Sequence, residues 1–136
     1  MRKLIPLLLL VSAFPLTFPL TAQTPYLVKD INATVAAPSA SSAPGNFVGL
    51  NGRIFFTAYT AANGLELWST DETSAGTSMV ADINPGTGYS TPSGLTVVNN
   101  LLVFAANDGT HGVELWATDG TAAGTQARAR KTPNRG

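Results

Sequence analysis

A twelve-residue string occurs twice in this chain, and this duplication constrains the fold more than any other feature. Residues 66–77 read ELWSTDETSAGT and residues 114–125 read ELWATDGTAAGT, a displacement of 48 positions. Two long and nearly identical strings at such a spacing indicate the duplication of a whole structural unit. The remaining segments can accordingly be aligned before and after each copy.

Short β-strands are predicted around each copy, because the segments there are rich in aromatic and β-branched residues. The pair Asn51-Gly52 separates two of these segments and is typical of the type I′ turn of a hairpin, in which both central residues need a positive φ. After residue 22 the sequence shows no helical periodicity. The predicted strands are residues 26–31, 47–50, 54–58, 65–69, 77–83, 95–98, 101–106 and 113–117.

Several of these strands are apolar on both faces. Residues 54–56 (IFF) and 101–104 (LLVF) are continuously apolar, and Leu67 and Trp68 are adjacent, so that their side chains point to opposite faces. A strand that is apolar on both faces is one that is buried on both faces. The predicted fold class is therefore all-β, with tandem four-stranded antiparallel sheets of the β-propeller-blade type.

About two such blades fit into the chain, and their ring is expected to be incomplete, because closed propellers take about four to eight blades. Each blade would leave an apolar face in water, and exposed faces of this kind promote association or aggregation. The sequence therefore predicts self-association through the exposed blade faces.

Residues 1–22 have the features of a signal peptide. Two basic residues precede an apolar run over residues 4–11, and either Ala22 or Ala13 supplies the small residue before a cleavage site. An uncleaved anchor is the alternative, but three prolines interrupt the apolar segment, which is shorter than the roughly 20 residues of a spanning helix. We expect a secreted protein, extracellular or periplasmic, with no membrane contact after cleavage.

The charge distribution argues against nucleic acid as a partner. Six of the eight basic residues lie near the termini, and between residues 23 and 125 only Lys29 and Arg53 stand against all eight acidic residues, which leaves a net charge of −6. An acidic body repels the phosphate backbone. The chain has no cysteine, so disulfides and thiolate metal sites are excluded.

The string ELWATDGTAAGT, the NDGTHGV before it and the DINPG between the two copies resemble the repeat of the ELWxxDGT family of exported bacterial proteins. The resemblance covers residues 26–125. It implies a β-propeller or a similar β-repeat array, usually in longer chains with more copies, and it implies no catalytic residue. The first copy departs from the pattern at Glu72, where the second has Gly120, so its turn has to accommodate a side chain.

Five parts follow from this alignment. They are a signal peptide (1–22), an N-terminal strand with an Ala-, Ser- and Pro-rich linker (23–46), repeat unit one (47–94), an incomplete repeat unit two (95–125) and a basic tail (126–136). In the tail, Arg128 stands where the first unit has Val80, so the strand pattern is lost. This loss favours a truncated or frameshifted end of a longer propeller protein. A charged capping strand and a basic arm are the alternatives.

Three segments contain aspartates that are candidate metal ligands: residues 82–86 (DINPG), 108–110 (DGT) and 119–121 (DGT). We interpret them as turns, because aspartate accepts backbone N–H bonds from two residues on and glycine adopts a positive φ. Calcium is the rival interpretation. The full calcium loop of alternating acids closed by a distant glutamate is missing from the sequence, so we predict no metal and no cofactor.

Other candidate side chains are paired by the repeat. Trp68 and Trp116 could stack on sugars, but equivalent positions of a repeat more often fill the same pocket between blades, so we predict a core role. Glu66 and Glu114 could form a glycosidase pair, yet the repeat places one of them in each blade. His111 is the only histidine and lies in a predicted turn.

These observations predict a non-enzymatic, exported β-repeat protein that acts as a surface, adhesion or scaffold module, with an extracellular protein or a glycan as its ligand. A truncated fragment of a longer propeller protein, without a function of its own, is the alternative. A propeller-type glycoside hydrolase is the third interpretation. No catalytic, cofactor-binding or metal-binding residue is assigned.

Overall fold

The computed structural model describes residues 25–32 and 41–128, in which all the regular secondary structure is β-strand. Two four-stranded antiparallel sheets are present, each with its strands in chain order. Sheet I contains β1 (Gly45–Leu50), β2 (Arg53–Thr60), β3 (Gly64–Thr70) and β4 (Ser78–Ala81). Sheet II contains β5 (Ser93–Val98), β6 (Leu101–Asn107), β7 (Val113–Thr118) and β8 (Gln126–Ala127). The predicted all-β fold, with two blade-like sheets in an open array, is confirmed.

Both sheets follow one pairing register. Phe56 of β2 pairs with Trp68 of β3, and Phe104 of β6 pairs with Trp116 of β7, 48 positions later. The first strand of each sheet contains an irregularity at the equivalent place. The duplicated sequence therefore produces a duplicated backbone.

Turn residues adopt the conformations that the sequence predicts. Asn51 and Gly52, between β1 and β2, have φ values of 52° and 73°, as a type I′ turn requires. Asn99 has a φ of 54° at the equivalent place in sheet II. Glu72 has a φ of 70° where the second copy uses Gly120, so the first copy does place a side chain in the left-handed region.

Each sheet has two apolar faces, which we name after a residue of the repeated string. The leucine face of sheet I carries Phe55 and Leu67, and its tryptophan face carries Phe56, Ala58 and Trp68. In sheet II the leucine face carries Val103 and Leu115, and the tryptophan face carries Phe104, Ala106 and Trp116. Neighbouring residues of a strand thus serve opposite faces, as predicted.

The main core lies between the leucine face of sheet I and the tryptophan face of sheet II. Phe55 and Leu67 meet Leu102 and Phe104 there, and all four are almost completely buried. The first strands of the two sheets, β1 and β5, are neighbours. Full burial of such side chains contributes about 1.5–3 kcal/mol each, so this interface holds the sheets together.

The tryptophan face of sheet I is covered in part by a segment that precedes the sheet. Ile31 and Met79 pack against the cluster of Phe56, Ala58 and Trp68. Residues 26–31 were predicted to form a strand, and this prediction is wrong, because none of them belongs to a strand in the structure. The segment is attached through side chains instead of a backbone ladder.

The predicted basic tail begins with a short strand. Gln126 and Ala127 were assigned to the basic tail, but they form β8 and pair with β7, and the amide of Arg128 donates to the carbonyl of Leu115 at 2.7 Å. The predicted signal peptide of residues 1–22 lies outside the described residues. In the described part of the chain, no helix is long and apolar enough to cross a membrane.

Candidate functional site

A buried carboxylate ties sheet I to the linker between the sheets. The side chain of Glu66, on β3, is completely buried. Its Oε2 accepts hydrogen bonds from the amide of Ile83 at 3.2 Å and from the hydroxyl of Ser90 at 2.6 Å. Its Oε1 accepts from the amides of Asn84 at 3.3 Å and Ser90 at 3.2 Å. Four donors from the linker therefore converge on this side chain.

The environment of Glu66 determines what its carboxyl group can do. Burial raises the pKa of the Glu66 carboxyl above its usual value, and the hydrogen bonds from Ser90, Ile83 and Asn84 oppose that shift. A buried carboxyl group is tolerated when its acceptor sites are filled, as they are here. We conclude that Glu66 is an acceptor that fixes the linker against β3. We call this arrangement the glutamate anchor.

Glu114 occupies the position of Glu66 in sheet II, but its surroundings are different. The side chain is exposed, and among the described residues its carboxylate has no hydrogen-bond donor. The two glutamates belong to different sheets, one in the core and one at the surface. Glu66 is thus closed off from solvent, whereas both carboxylates of a glycoside hydrolase have to reach the glycosidic bond that lies between them.

The aspartates of the repeated string close their own turns. Oδ1 of Asp71 accepts from the amide and the hydroxyl of Thr73 at 3.0 and 2.7 Å, and Oδ1 of Asp119 accepts from the same groups of Thr121 at 2.9 and 2.7 Å. These bonds lower the pKa of both aspartates. The bonds of Asp119 are the turn bonds that the sequence predicted for residues 119–121, and Asp71 makes the same bonds in the first copy.

The loop before β7 contains a pair of ionisable side chains. Oδ1 of Asp108 accepts from the amides of Thr110 and His111, and Oδ2 contacts Nδ1 of His111 at 2.7 Å. The hydrogen bond to His111 lowers the pKa of Asp108, and the same bond raises the pKa of His111 above its usual value. Two thirds of the His111 side chain is exposed, so this is a surface pair.

The third aspartate segment also makes bonds within the protein. Asp82 accepts from the amide nitrogen of the Asn63 side chain at 3.1 Å, and the Asn84 side chain donates to the carbonyl of Tyr89 at 3.2 Å. Within residues 25–32 and 41–128, no group of three His, Cys, Asp or Glu side chains is placed to hold a metal ion.

Both tryptophans belong to apolar clusters. Trp68 is 9% exposed and packs with Phe56 and Ala58, and Trp116 packs against the main core between the sheets. The indole nitrogens of both are buried without a hydrogen-bond partner among the described residues. The predicted core role of the two tryptophans agrees with this packing.

A cavity of about 630 Å³ lies beside the tryptophan face of sheet I. Phe47, Ile54 and Phe56 line it from the sheet, Glu72 from the turn before β4, and residues 25–29 together with Ile31 from the N-terminal side. Phe47 stacks on Phe56 with the ring centroids 5.7 Å apart, although it is itself largely exposed. The lining is predominantly apolar, which suits another apolar surface.

The glutamate anchor was not predicted from the sequence. Its donors lie 17, 18 and 24 residues beyond Glu66, at the end of the predicted strand 77–83 and in the loop that follows it. The recurring Asp-Ile-Asn triplet of residues 30–32 and 82–84 was the available signal. Comparison of the chain with protein family models, with curated proteins and with solved structures finds no match in any of the three.

Proposed function

We propose that this chain is a non-enzymatic, exported β-repeat protein that acts as a scaffold or adhesion module at the cell surface. The resemblance to the ELWxxDGT repeats and the signal-like residues 1–22 support export. The protein would present its sheets to an extracellular protein or glycan rather than transform a substrate.

The glutamate anchor is the observation that carries this proposal. Glu66 is the buried carboxyl group that would be the first candidate for a catalytic acid or base. Both of its oxygens, however, already accept hydrogen bonds from the linker residues Ile83, Asn84 and Ser90. The aspartates of the turns are likewise bonded within their own turns. Glu66 and the two turn aspartates therefore serve to hold the repeat together.

Exposed apolar side chains support a role in contacts with other macromolecules. Val113 is 73% exposed and Leu115 54% exposed, both on the leucine face of sheet II. Large exposed apolar surfaces on a folded protein are typical of interaction sites. This surface is of a kind that could bind another protein.

The test combines a binding assay with an activity assay on the same purified chain. Immobilised protein should bind at least one member of a glycan array or an extracellular-protein array saturably, and it should release no sugar from chromogenic glycosides. Binding by a well-folded preparation to none of the array members would count against the adhesion role. Turnover of a glycoside that disappears in Glu66→Gln or Glu114→Gln would show a hydrolase instead.

A further inference from the structure

The two leucine faces have equivalent positions in their sheets, but one is buried and the other is exposed to solvent. In sheet I, Leu67 is 0% exposed and Leu50 is 7% exposed, because sheet II lies against them. Their counterparts in sheet II, Leu115 and Val98, are 54% and 48% exposed. Sheet II thus presents to solvent the type of surface that sheet I buries.

The glutamate anchor shows the same asymmetry. Glu66 accepts hydrogen bonds from the amides of Ile83 and Asn84 and from the amide and hydroxyl of Ser90. All three residues belong to the segment that leads into sheet II. Glu114 is exposed and has no donor among the described residues. The missing element is therefore a segment of the same kind, leading into a further sheet.

The protein carries such a segment in front of sheet I. Ile31 packs against the tryptophan face of sheet I. In the same way, Ile83 belongs to the main core, which includes Phe104 and Ala106 of the tryptophan face of sheet II. Oδ1 of Asn32 accepts from the amide of Ala61 at 3.4 Å, and Asn84 lies against Gly109, 48 positions after Ala61. Residues 31 and 32 therefore match residues 83 and 84.

A serine completes the correspondence. The carbonyl of Ser42 accepts from the amide of Tyr59 at 2.8 Å, and the carbonyl of Ser90 accepts from the amide of Asn107 at 2.9 Å. Both residues of the second pair lie 48 positions after those of the first. Ser42 is thus the counterpart of Ser90, whose hydroxyl makes the shortest bond to Glu66.

Side-chain sizes also fit a further contact of this kind. Between the two sheets, the ring of Phe55 lies so close to Gly120 that a side chain there would have to displace it. If sheet II met the sheet I of another chain in the same way, Val103 would take the place of Phe55. Glu72 of the other chain would take the place of Gly120. The smaller valine leaves room for the larger glutamate.

We propose that a second copy of this chain docks head to tail on the first. The tryptophan face of sheet I in one copy covers the leucine face of sheet II in the other, so that the cavity beside Phe47 and Phe56 receives Val103 and Leu115. Glu114 of the first copy accepts hydrogen bonds from the amides of residues 31 and 32 and from Ser42 of the second copy. The contact between two chains thus has the same form as the contact between sheet I and sheet II within each chain. The proposal does not depend on which ligand the protein binds.

The two faces that meet are different, so the contact is heterologous, and a docked pair keeps one free tryptophan face on one copy and one free leucine face on the other. Such contacts produce closed rings or open filaments. Since closed propellers take about four to eight blades and each copy supplies two sheets, rings of two, three or four copies are the expected closed products.

Sedimentation velocity on the full chain, purified as the cell releases it, tests the proposal. We expect a mass of two, three or four copies, or a mass that increases with concentration. Leu115→Arg should give a monomer, because a charge on the leucine face cannot be buried unpaired. Glu114→Gln should weaken the association about tenfold or more, as expected for losing hydrogen bonds to a charged group. Asn100→Arg, in the exposed turn between β5 and β6, is the matched charge control and should associate like the wild type.

Mixing two variants distinguishes head-to-tail docking from non-specific association. Phe47→Arg blocks the tryptophan face of sheet I at an exposed residue, and Leu115→Arg blocks the leucine face of sheet II. Each variant alone should be monomeric, while their mixture should form a 1:1 dimer and nothing larger, because only one complementary pair of faces remains.

Three results would overturn the proposal. The first is a wild-type chain that is monomeric at about 100 µM with a cooperative unfolding transition. The second is a Phe47→Arg chain that still dimerises, which would indicate contact between two leucine faces. The third is a Leu115→Arg chain that associates like the wild type, which would indicate a different surface.

Discussion

The two copies of the repeated string share their sequence but differ in their surroundings, and the difference divides the string into two halves. In the turn half, the bond from the Thr73 hydroxyl to Asp71 and that from the Thr121 hydroxyl to Asp119 are both 2.7 Å long. In the other half, the glutamate and leucine of the first copy are buried completely, whereas Glu114 and Leu115 of the second are exposed.

This comparison shows which parts of the repeat are self-sufficient. The aspartate turn closes over residues two to four positions apart, so it forms in any copy. The glutamate and the leucine need a following segment and a following sheet. The string therefore contains a local turn signal and an interface signal, and only the second depends on a neighbour.

The tryptophans should behave alike in both copies, because each packs in an apolar cluster of its own chain. We expect Trp116→Ala to lower the free energy of unfolding by about 3–5 kcal/mol, as for other large buried aromatic side chains. Trp68→Ala should cost a similar amount. Urea unfolding followed by far-UV circular dichroism measures both.

A cost below about 1 kcal/mol for Trp116→Ala would break the equivalence of the two tryptophans. It would mean that the indole is not held in the main core, and binding of a sugar ring by Trp116 would then become the better hypothesis. Glycan-array binding by the same variant would show whether affinity is lost with the ring.

The leucines should differ between the copies. Leu67→Ala removes a fully buried side chain from the main core and should cost about 2–5 kcal/mol. Leu115→Ala, measured at a concentration where the chain is monomeric, should change the stability by less than about 0.5 kcal/mol, since the side chain is exposed. Equal costs for the two variants would show that the leucine face of sheet II is covered within the monomer.

Most of the strands could be predicted from the sequence, because their signals are local. Asn51-Gly52 fixes a hairpin by its backbone conformation, and the adjacent apolar residues Phe55 and Phe56 require a sheet buried on both faces. The prediction was wrong for residues 26–31. Strand-forming side chains there cover a sheet face, and β-propensity does not distinguish that role from pairing in a ladder.

The glutamate anchor could not be predicted in the same way. A glutamate in a strand is ordinarily exposed, and the burial of Glu66 depends on donors from a distant linker. The spacing hid the correspondence as well. The Asp-Ile-Asn triplets are 52 positions apart, whereas Ser42 and Ser90 are 48 apart, so no single alignment brings all the donors into register.

The two glutamates should also differ in their contribution to stability. Glu66→Gln keeps the shape of the side chain but turns an amide group towards two of the four linker donors. We expect a loss of about 2–3 kcal/mol, as for hydrogen bonds to a charged acceptor. Glu114→Gln should lie within about 0.5 kcal/mol of the wild type in the monomer. Hydrogen exchange of the Ile83 and Ser90 amides should increase in Glu66→Gln, and unchanged protection would contradict the anchor.

The smallest expected difference is in the pH dependence of stability. The loop before β7 contains an ionisable histidine, and the loop before β3 does not. The hydrogen bond to Asp108 raises the pKa of His111 above 6.5. Since His111 binds its proton more tightly in the folded state, its contribution to stability is fully present below its ordinary pKa and is lost as the pH rises through the folded pKa.

Because His111 is the only histidine, an NMR titration of its ring reads this pKa directly. Asp108→Asn should return the pKa towards its ordinary value, while Asp119→Asn, in the next turn, serves as the control and should leave it unchanged. In the first copy Asn63 stands at the equivalent position, so His111→Asn should remove this pH dependence and make the two loops alike. An unshifted pKa in the wild type would mean that the bond to Asp108 does not persist in solution.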